Sequence, residues 1–191
     1  GDRPVDVRRV PPDFLRCAAY TWLLGPYSIG FLYVAERWQR EGKPIEHNWI
    51  HRKNAEDFAR LVDYQDEFEP GARRFDVGER SNFALVPAAE AGIRQILEWG
   101  VDNVCETVAG LADDIAERLA PLGLKALPKG LRAPHYLGLQ MESGLPPGLL
   151  PELAKRQVYV SVRGSSIRIT PHLYNSEADV DRLVQALQEI L

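Results

Sequence analysis

Hydrophobic residues in the second half of the chain recur at the spacing of helices. Over residues 101–119 an apolar side chain returns every three or four positions, which predicts an amphipathic helix. A preceding helix is predicted over residues 87–99, with a proline in its first turn and Gly100 as its C-cap. A final helix is predicted to start at Ser176, a good N-cap residue with Asp179 three positions further on.

Short runs of apolar and β-branched residues predict strands. They lie at residues 13–19, 29–34, 123–127, 135–141, 158–162 and 167–170. The first of these strands is expected to be buried, and Gly164 is expected to form a hairpin turn between the last two. A further short helix is predicted over residues 147–155. Residues 36–50 predict a polar loop, and residues 55–68 a short amphipathic helix or a helical turn.

The change in pattern divides the chain into two predicted domains. Residues 1–86 combine short strands with loops, whereas residues 87–191 alternate long helices with strands. The second domain is therefore predicted to be α+β, with a small sheet covered on one face by helices. For the whole chain the expected fold class is α/β to α+β, with a boundary near residues 84–90.

Charge and composition argue against several classes of partner. The net charge is -4 with acids interspersed among the arginines, so no basic surface for nucleic acid or an anionic membrane is indicated. No apolar run approaches the roughly 20 residues of a transmembrane helix. Cys17 and Cys105 are far apart among apolar neighbours. We expect reduced, buried thiols in a cytoplasmic protein rather than a disulfide.

The histidines do not predict a metal site. His47 and His51 are four residues apart, a spacing that could bind metal on a helix, but nearby Gly42 and Pro44 argue against a helix there. No third ligand follows at an evident spacing, so no metal is predicted. His172 is expected to hydrogen-bond within a turn.

Residues 20–26, with the sequence Tyr-Thr-Trp-Leu-Leu-Gly-Pro, resemble the cofactor-lysine segment of the class V aminotransferase family. That family includes relatives of cysteine desulfurase, kynureninase and isopenicillin N epimerase. The resemblance implies a fold in which a lysine holds pyridoxal phosphate as a Schiff base, and the matching position here is Thr21. A hydroxyl cannot form an imine, so the chain is expected to have the frame of a pyridoxal enzyme without its central amine.

Three further segments resemble the same family in the same order. They are residues 4–7, residues 71–83 and residues 163–180, the last of which contains Ile-Arg-Ile-Thr-Pro-His-Leu-Tyr-Asn. Family members are about twice as long, so the resemblance implies a C-terminal half: a remnant of the large cofactor domain followed by the small domain. The absence of a starting methionine is also expected of an excised piece. The implied partners are a second copy in a homodimer or a complementing N-terminal half.

The resemblance assigns roles to particular residues. Arg168 matches the arginine that binds the substrate α-carboxylate, and Arg163 is a weaker candidate for the same role. Alternation with Ile167 and Ile169 puts Arg168 on the opposite face of its strand, although a surface arginine is the alternative. Three residues match cofactor-binding positions: Tyr20, Gly78 and Asn82. For Tyr20 the alternative is a core tyrosine with a bonded hydroxyl.

Three functions are compatible with these residues. The first is an inactive half of a transferase or lyase that acts on an amino acid with pyridoxal phosphate. The second is a non-catalytic relative that serves as a binding or assembly partner, for which the loss of the lysine at Thr21 is the motive. The third and weaker one keeps the cofactor without a covalent bond, in its aminated pyridoxamine phosphate form.

Overall fold

The computed structural model describes residues 3–191. They form two compact units, here called the N-terminal unit (Val5–Glu98) and the C-terminal unit (Trp99–Leu191). The division falls one helix later than the boundary expected near residues 84–90. The helix between the two positions packs on a turn of the N-terminal unit, which explains why it is grouped with that unit.

The N-terminal unit has little regular structure besides one hairpin and two helices. Its elements are β1 (Phe14–Ala18), β2 (Gly30–Val34), α1 (Glu36–Glu41) and α2 (Leu85–Trp99), with 3-10 turns at Trp49–His51, Phe58–Arg60 and Gly71–Phe75. β1 and β2 pair antiparallel in a two-stranded sheet. The expectation of a loop over residues 36–50 is wrong for the six residues of α1. An ion pair between Glu36 and Arg40 (2.7 Å) stabilises this helix. Within residues 55–68 only the short turn forms.

β1 is exposed along its whole length, contrary to the prediction of a buried strand. Its hairpin has two strands only, and although the Phe14 ring packs on Trp38 of α1 and on Phe75, every residue of β1 remains exposed. Cys17 is exposed with it, and Cys105 is half-buried. The expectation of buried thiols is therefore wrong for Cys17, although both thiols are free as predicted.

The C-terminal unit follows the predicted alternation of helices and strands. Its elements are α3 (Val101–Leu119), β3 (Leu124–Ala126), β4 (Leu137–Met141), α4 (Leu149–Lys155), β5 (Ser161–Arg163), β6 (Ser166–Ile169) and α5 (Glu177–Ile190). The four strands form one antiparallel sheet in the order β3-β4-β6-β5. Gly164, with a positive φ of 58°, lies in the predicted hairpin turn between β5 and β6.

One continuous core lies between the sheet and its helices. Alternate residues of β4 and β6 enter it, and the apolar stripes of α3 and α5 close it from the same side. The members that are almost or completely buried include Ile115, Leu119, Leu137, Leu139, Ile167 and Leu187. Since the strand side chains alternate, the polar residues between them must lie on the opposite face of the sheet.

The strand predicted over residues 158–162 begins later, at Ser161. The preceding helix explains the shift. Gln157 adopts a left-handed φ of 59° after α4, and the Val158 N–H then donates to the carbonyl of Leu153 at 3.0 Å. The backbone of Val158 is thus hydrogen-bonded to the end of α4 and its side chain packs in the core, so this residue does not join the sheet.

The start of α5 is the predicted capping box. The backbone N–H of Ser176 donates to Oδ2 of Asp179 at 2.8 Å. This hydrogen bond, from Ser176 to the charged form, holds the pKa of the Asp179 carboxyl below its usual value. No helix among residues 3–191 has the length and apolar content needed to cross a membrane.

Helix α2 approaches the turn between β1 and β2 at a glycine. A Cβ on Gly92 would lie 2.6 Å from the carbonyl oxygen of Leu23 and 2.8 Å from that of Leu24, both backbone atoms. Gly25 in the turn is equally confined, since its Cβ would lie 2.7 Å from that of Ala19. The turn that carries Thr21 is therefore held by backbone contact with α2.

We expect Gly92→Ala to destabilise the chain and the matched Gly110→Ala to stabilise it. Overpacking costs about 1–3 kcal/mol, which exceeds the gain of about 1 kcal/mol from replacing glycine in a helix. Gly110 lies in α3 with no atom within 4 Å of its added Cβ, so only the gain applies there. Urea unfolding followed by circular dichroism measures both changes. Equal stabilisation by the two substitutions would contradict the contact.

Candidate functional site

Arg168 occupies the centre of the sheet's uncovered face. It is in β6, paired with Gly138 of β4 on one side and Ser161 of β5 on the other. Its neighbours Ile167 and Ile169 are buried in the core, so the predicted orientation of Arg168 is confirmed. We call this surface the open face. It is formed by Lys125, Tyr136, Gly138, Gln140, Ser161, Arg163, Ser166 and Arg168.

The guanidinium of Arg168 has no anionic partner among residues 3–191. Its Cζ lies 5.2 Å from the ring centroid of Tyr136, a cation–π contact. Its Nε is buried and has no hydrogen-bond partner among residues 3–191. Gly138 leaves room beside the side chain, because an added Cβ would contact only the Tyr136 ring, at 3.9 Å. A planar donor with room beside it is suited to a carboxylate, which would also satisfy the orphan N–H.

Arg163 lies on the same face at the end of β5. It pairs with Ser166, and the next residue on that face of β6 is Arg168. Its guanidinium is exposed and its one described hydrogen bond is to the carbonyl of Val162, at 3.3 Å. The structure thus brings the two predicted substrate-binding arginines together on one surface.

A cleft of about 640 Å³ opens beside Arg168 at the end of β6. Ser161, Tyr159 and Tyr174 are among the residues that line it. The segment after β6 is a hydrogen-bonded turn, as predicted: the His172 N–H donates to Oδ1 of Asn175 at 2.9 Å. The His172 ring stacks on Tyr174 with centroids 5.0 Å apart, and burial lowers the pKa of its imidazole.

Sequence reasoning missed Tyr136 and Gly138, which support and flank Arg168. A signal was present, because both alternate with Leu137 and Leu139 of the core in a period of two. Pairing β4 with β6 in the observed register would have placed them beside the arginine. The register itself is not readable from either strand alone.

Thr21 lies in the tight turn that follows β1. Its carbonyl accepts a hydrogen bond from the Leu24 N–H at 3.1 Å, and its side chain is exposed. Leu24 and Ser28 have positive φ values of 53° and 67° on either side of the Gly-Pro pair. The side chain of Thr21 carries a hydroxyl, so no amine is available at the position that the resemblance assigns to the Schiff-base lysine.

Tyr20 is not a core residue. Its side chain is 47% exposed, and its ring stacks on Tyr27 with centroids 4.5 Å apart. The alternative of a core tyrosine is therefore wrong. Stacking between two exposed rings is a local contact that holds the two ends of the turn together.

The backbone N–H of Gly78 and the side chain of Asn82 both form local hydrogen bonds. The Gly78 N–H donates to Oε1 of Glu46 at 2.8 Å, and a Cβ on Gly78 would lie 2.0 Å from Nδ2 of Asn48. Oδ1 of Asn82 accepts from the Leu85 N–H at 2.8 Å and so satisfies the start of α2. With Thr21 in place of an amine, the described residues as they stand do not fit pyridoxal phosphate held as a Schiff base.

A cleft of about 1040 Å³ lies between β2 and α2 in the N-terminal unit. Asn82 lines it together with Arg16, Ser28 and Arg80, but neither Thr21 nor Tyr20 does. The cleft therefore contacts Asn82 but not the turn that carries Tyr20 and Thr21. Arg80 is paired with Asp76 at 2.6 Å and is not free for an anion.

The two nearby histidines differ in environment. His51 is completely buried, whereas His47 is exposed and its Nδ1 lies 3.2 Å from a guanidinium nitrogen of Arg52. Since arginine can only donate, Nδ1 of His47 is the acceptor. Within residues 3–191 no three His, Cys, Asp or Glu side chains are grouped so as to hold a metal ion.

The chain is similar in sequence to curated proteins of known families. No protein-family model matches it. It is 27% identical over 188 residues to an uncharacterized aminotransferase, YcbU, of Bacillus subtilis (strain 168), covering 98% of this chain and 48% of YcbU. It is 27% identical over 203 residues to isopenicillin N epimerase of Amycolatopsis lactamdurans, covering 100% of this chain and 50% of the epimerase. The chain spans about half the length of the curated relatives it matches.

Solved structures share its fold. The apo cysteine desulfurase of Thermococcus onnurineus NA1 superposes with a TM-score of 0.81 at 20% identity, over 99% of this chain and 49% of the desulfurase. C-DES, whose structure has glycine covalently linked to its pyridoxal phosphate cofactor, gives a TM-score of 0.76 at 19% identity over 97% and 48%.

The chain resembles the C-terminal half of a class V aminotransferase. The resemblance inferred from its sequence is confirmed by these relatives, and so is the mixed helix-and-sheet fold of that half. The class V relatives are about twice as long, which agrees with the expectation of a partial chain.

Proposed function

We propose that this chain is the C-terminal half of a class V aminotransferase-like pyridoxal phosphate enzyme and that it binds the carboxylate of an amino acid substrate. The observation that carries the proposal is Arg168. It projects from the open face over Tyr136, has space beside it at Gly138, and has a buried Nε without a partner among residues 3–191. A bound carboxylate satisfies that donor and the positive charge at once.

The chain by itself is proposed to be without catalytic activity. In this kind of enzyme the cofactor supplies the electron sink and a lysine supplies both the tether and the proton carrier. Thr21 can supply neither, and the N–H of Gly78 is already bound to Glu46. The contribution of this half is to bind and orient the substrate carboxylate.

The partner is proposed to be a complementing N-terminal half, within an assembly that also contains a second copy of this chain. One face of the β1–β2 hairpin is apolar and partly exposed; we call it the hairpin face, and it consists of Leu15, Cys17, Phe31 and Tyr33. Leu15, Phe31 and Tyr33 are each about 40% exposed. Relatives of twice the length have a further half that could cover such a surface. The free thiols of Cys17 and Cys105 support a cytoplasmic location.

The second candidate is a non-catalytic binding or assembly partner. Thr21 and the Gly78–Glu46 hydrogen bond favour it, since both remove a contact that the cofactor needs. The same hydrogen bond weighs against the third candidate, non-covalent use of pyridoxamine phosphate, because the phosphate would compete with a carboxylate for the amide. A pure assembly partner differs from the first candidate in binding no amino acid at Arg168.

Arg168→Gln is expected to weaken binding of L-alanine to the chain by at least about tenfold, because a charge-assisted hydrogen bond contributes about 1.5–3 kcal/mol. Amide chemical shifts recorded by NMR during a titration measure the affinity and locate the site. Arg94→Gln is the matched control, since Arg94 is exposed and paired with Glu90. Unchanged affinity in the Arg168 variant, or no binding to the wild type, would reject the carboxylate site.

The wild-type chain should lose pyridoxal phosphate on dialysis and keep no imine absorbance band, because Thr21 offers no amine. Thr21→Lys is expected to behave in the same way while the other half is absent. Thr107→Lys, which adds a lysine at an exposed position of α3, controls for nonspecific reaction. A band that survives dialysis in the wild type would mean that Lys43 or Lys53 has replaced the missing lysine, and the proposal of inactivity would be withdrawn.

The isolated chain should self-associate through the hairpin face, since exposed apolar strands promote association. The double substitution Leu15→Lys and Tyr33→Glu replaces a directly paired apolar couple by opposite charges, so the hairpin is retained. Sedimentation velocity should show a smaller average mass for this variant. Leu131→Lys, at an exposed position of the C-terminal unit, should have no such effect. A wild-type monomer at all concentrations would contradict the prediction.

A further inference from the structure

Arg163 and Arg168 form a pair with a defined geometry. In the β5–β6 hairpin Arg163 is directly opposite Ser166, and Arg168 is two residues beyond Ser166 on the same face. Such diagonal neighbours have Cα atoms roughly 7–8 Å apart, which long side chains can bridge. The hairpin turn of Gly164 and Ser165 has only two residues and fixes this register.

Neither arginine is neutralised by the protein. No ion pair of Arg163 or Arg168 is found among residues 3–191, although the chain carries 27 acids against 23 Lys and Arg. Three other arginines of the C-terminal unit do pair: Arg118 with Asp181, Arg132 with Asp113 and Arg156 with Glu189. Both guanidiniums are therefore available to anionic groups of a ligand.

The rest of the open face has polar groups for such a ligand. The hydroxyls of Ser161 and Ser166 lie opposite Arg168 and Arg163 respectively, and the amide of Gln140 pairs in the same row as Ser166. Lys125 is already bonded to Glu142 at 3.2 Å, which leaves the two arginines as the free cations of this face among the described residues. The surface is therefore complementary to two acidic groups rather than one.

We infer that the amino acid bound by this half carries a second acidic group, and that Arg163 selects it. Arg168 binds the α-carboxylate and Arg163 binds the side-chain carboxylate across the diagonal of the hairpin. The inference rests on the proposed function, because it takes Arg168 as the anchor of the α-carboxylate. The substrate class is thus an amino acid with an anionic side chain.

L-Glutamate and L-glutamine test the inference, because they have the same shape and differ in the side-chain charge. NMR titration of the wild-type chain should give an affinity for glutamate about fivefold higher than for glutamine, the upper range for an exposed ion pair. Arg163→Gln should abolish this difference, because it lowers the affinity for glutamate more than the affinity for glutamine. Arg168→Gln should weaken the binding of both amino acids.

The outcomes separate this inference from the proposed function. Equal affinities in the wild type, or a glutamate preference that persists in Arg163→Gln, would overturn the role of Arg163 while the α-carboxylate site stands. Unaltered binding of both amino acids in Arg168→Gln would overturn the anchor itself. Arg94→Gln, an exposed arginine of α2 that pairs with Glu90, is the control for a general loss of positive charge. The absence of binding by either amino acid would overturn both.

Discussion

The packing of α3 and α5 against one face of the four-stranded sheet determines what the C-terminal unit can do. Once Leu137, Leu139, Ile167 and Ile169 are buried against these helices, the residues between them must project the other way. Arg168 is then exposed to the open face by the same alternation that builds the core. A shift of one residue in β6 would bury the charge and expose two isoleucines, so the core protects the orientation of the arginine.

The N-terminal unit is organised by backbone contacts and local hydrogen bonds rather than by a deep core. Gly92 lets α2 touch the turn after β1, and Asn82 satisfies the first amides of that helix. Glu46 holds the loop at Gly78 in a similar manner. Each of these residues therefore has a structural role within this unit. Leu15, Phe31 and Tyr33 of the hairpin face, in contrast, remain about 40% exposed.

Local sequence patterns correctly predicted most of the helices and the order of the strands along the chain. The stripe of α3 and the capping box of Ser176 and Asp179 were readable because they depend on residues three or four positions apart. The predictions were wrong where contacts with residues distant in the chain decide the local structure. Residues 14–18 look like a buried strand but belong to a two-stranded sheet that leaves them exposed, and Val158 is used by the end of α4 instead of by β5.

The amino-acid sequence by itself determined the identity of the candidate groups: an arginine flanked by two isoleucines in β6, and a hydroxyl at the position that the resemblance assigns to a lysine. It also determined the face of β6 on which Arg168 lies, because alternation along a strand is a local property. Only the tertiary structure decided that Tyr136, Gly138 and Arg163 surround that arginine, and that Gly78 and Asn82 are already bonded elsewhere. Such contacts join residues far apart in the chain, and strand register and loop packing set them.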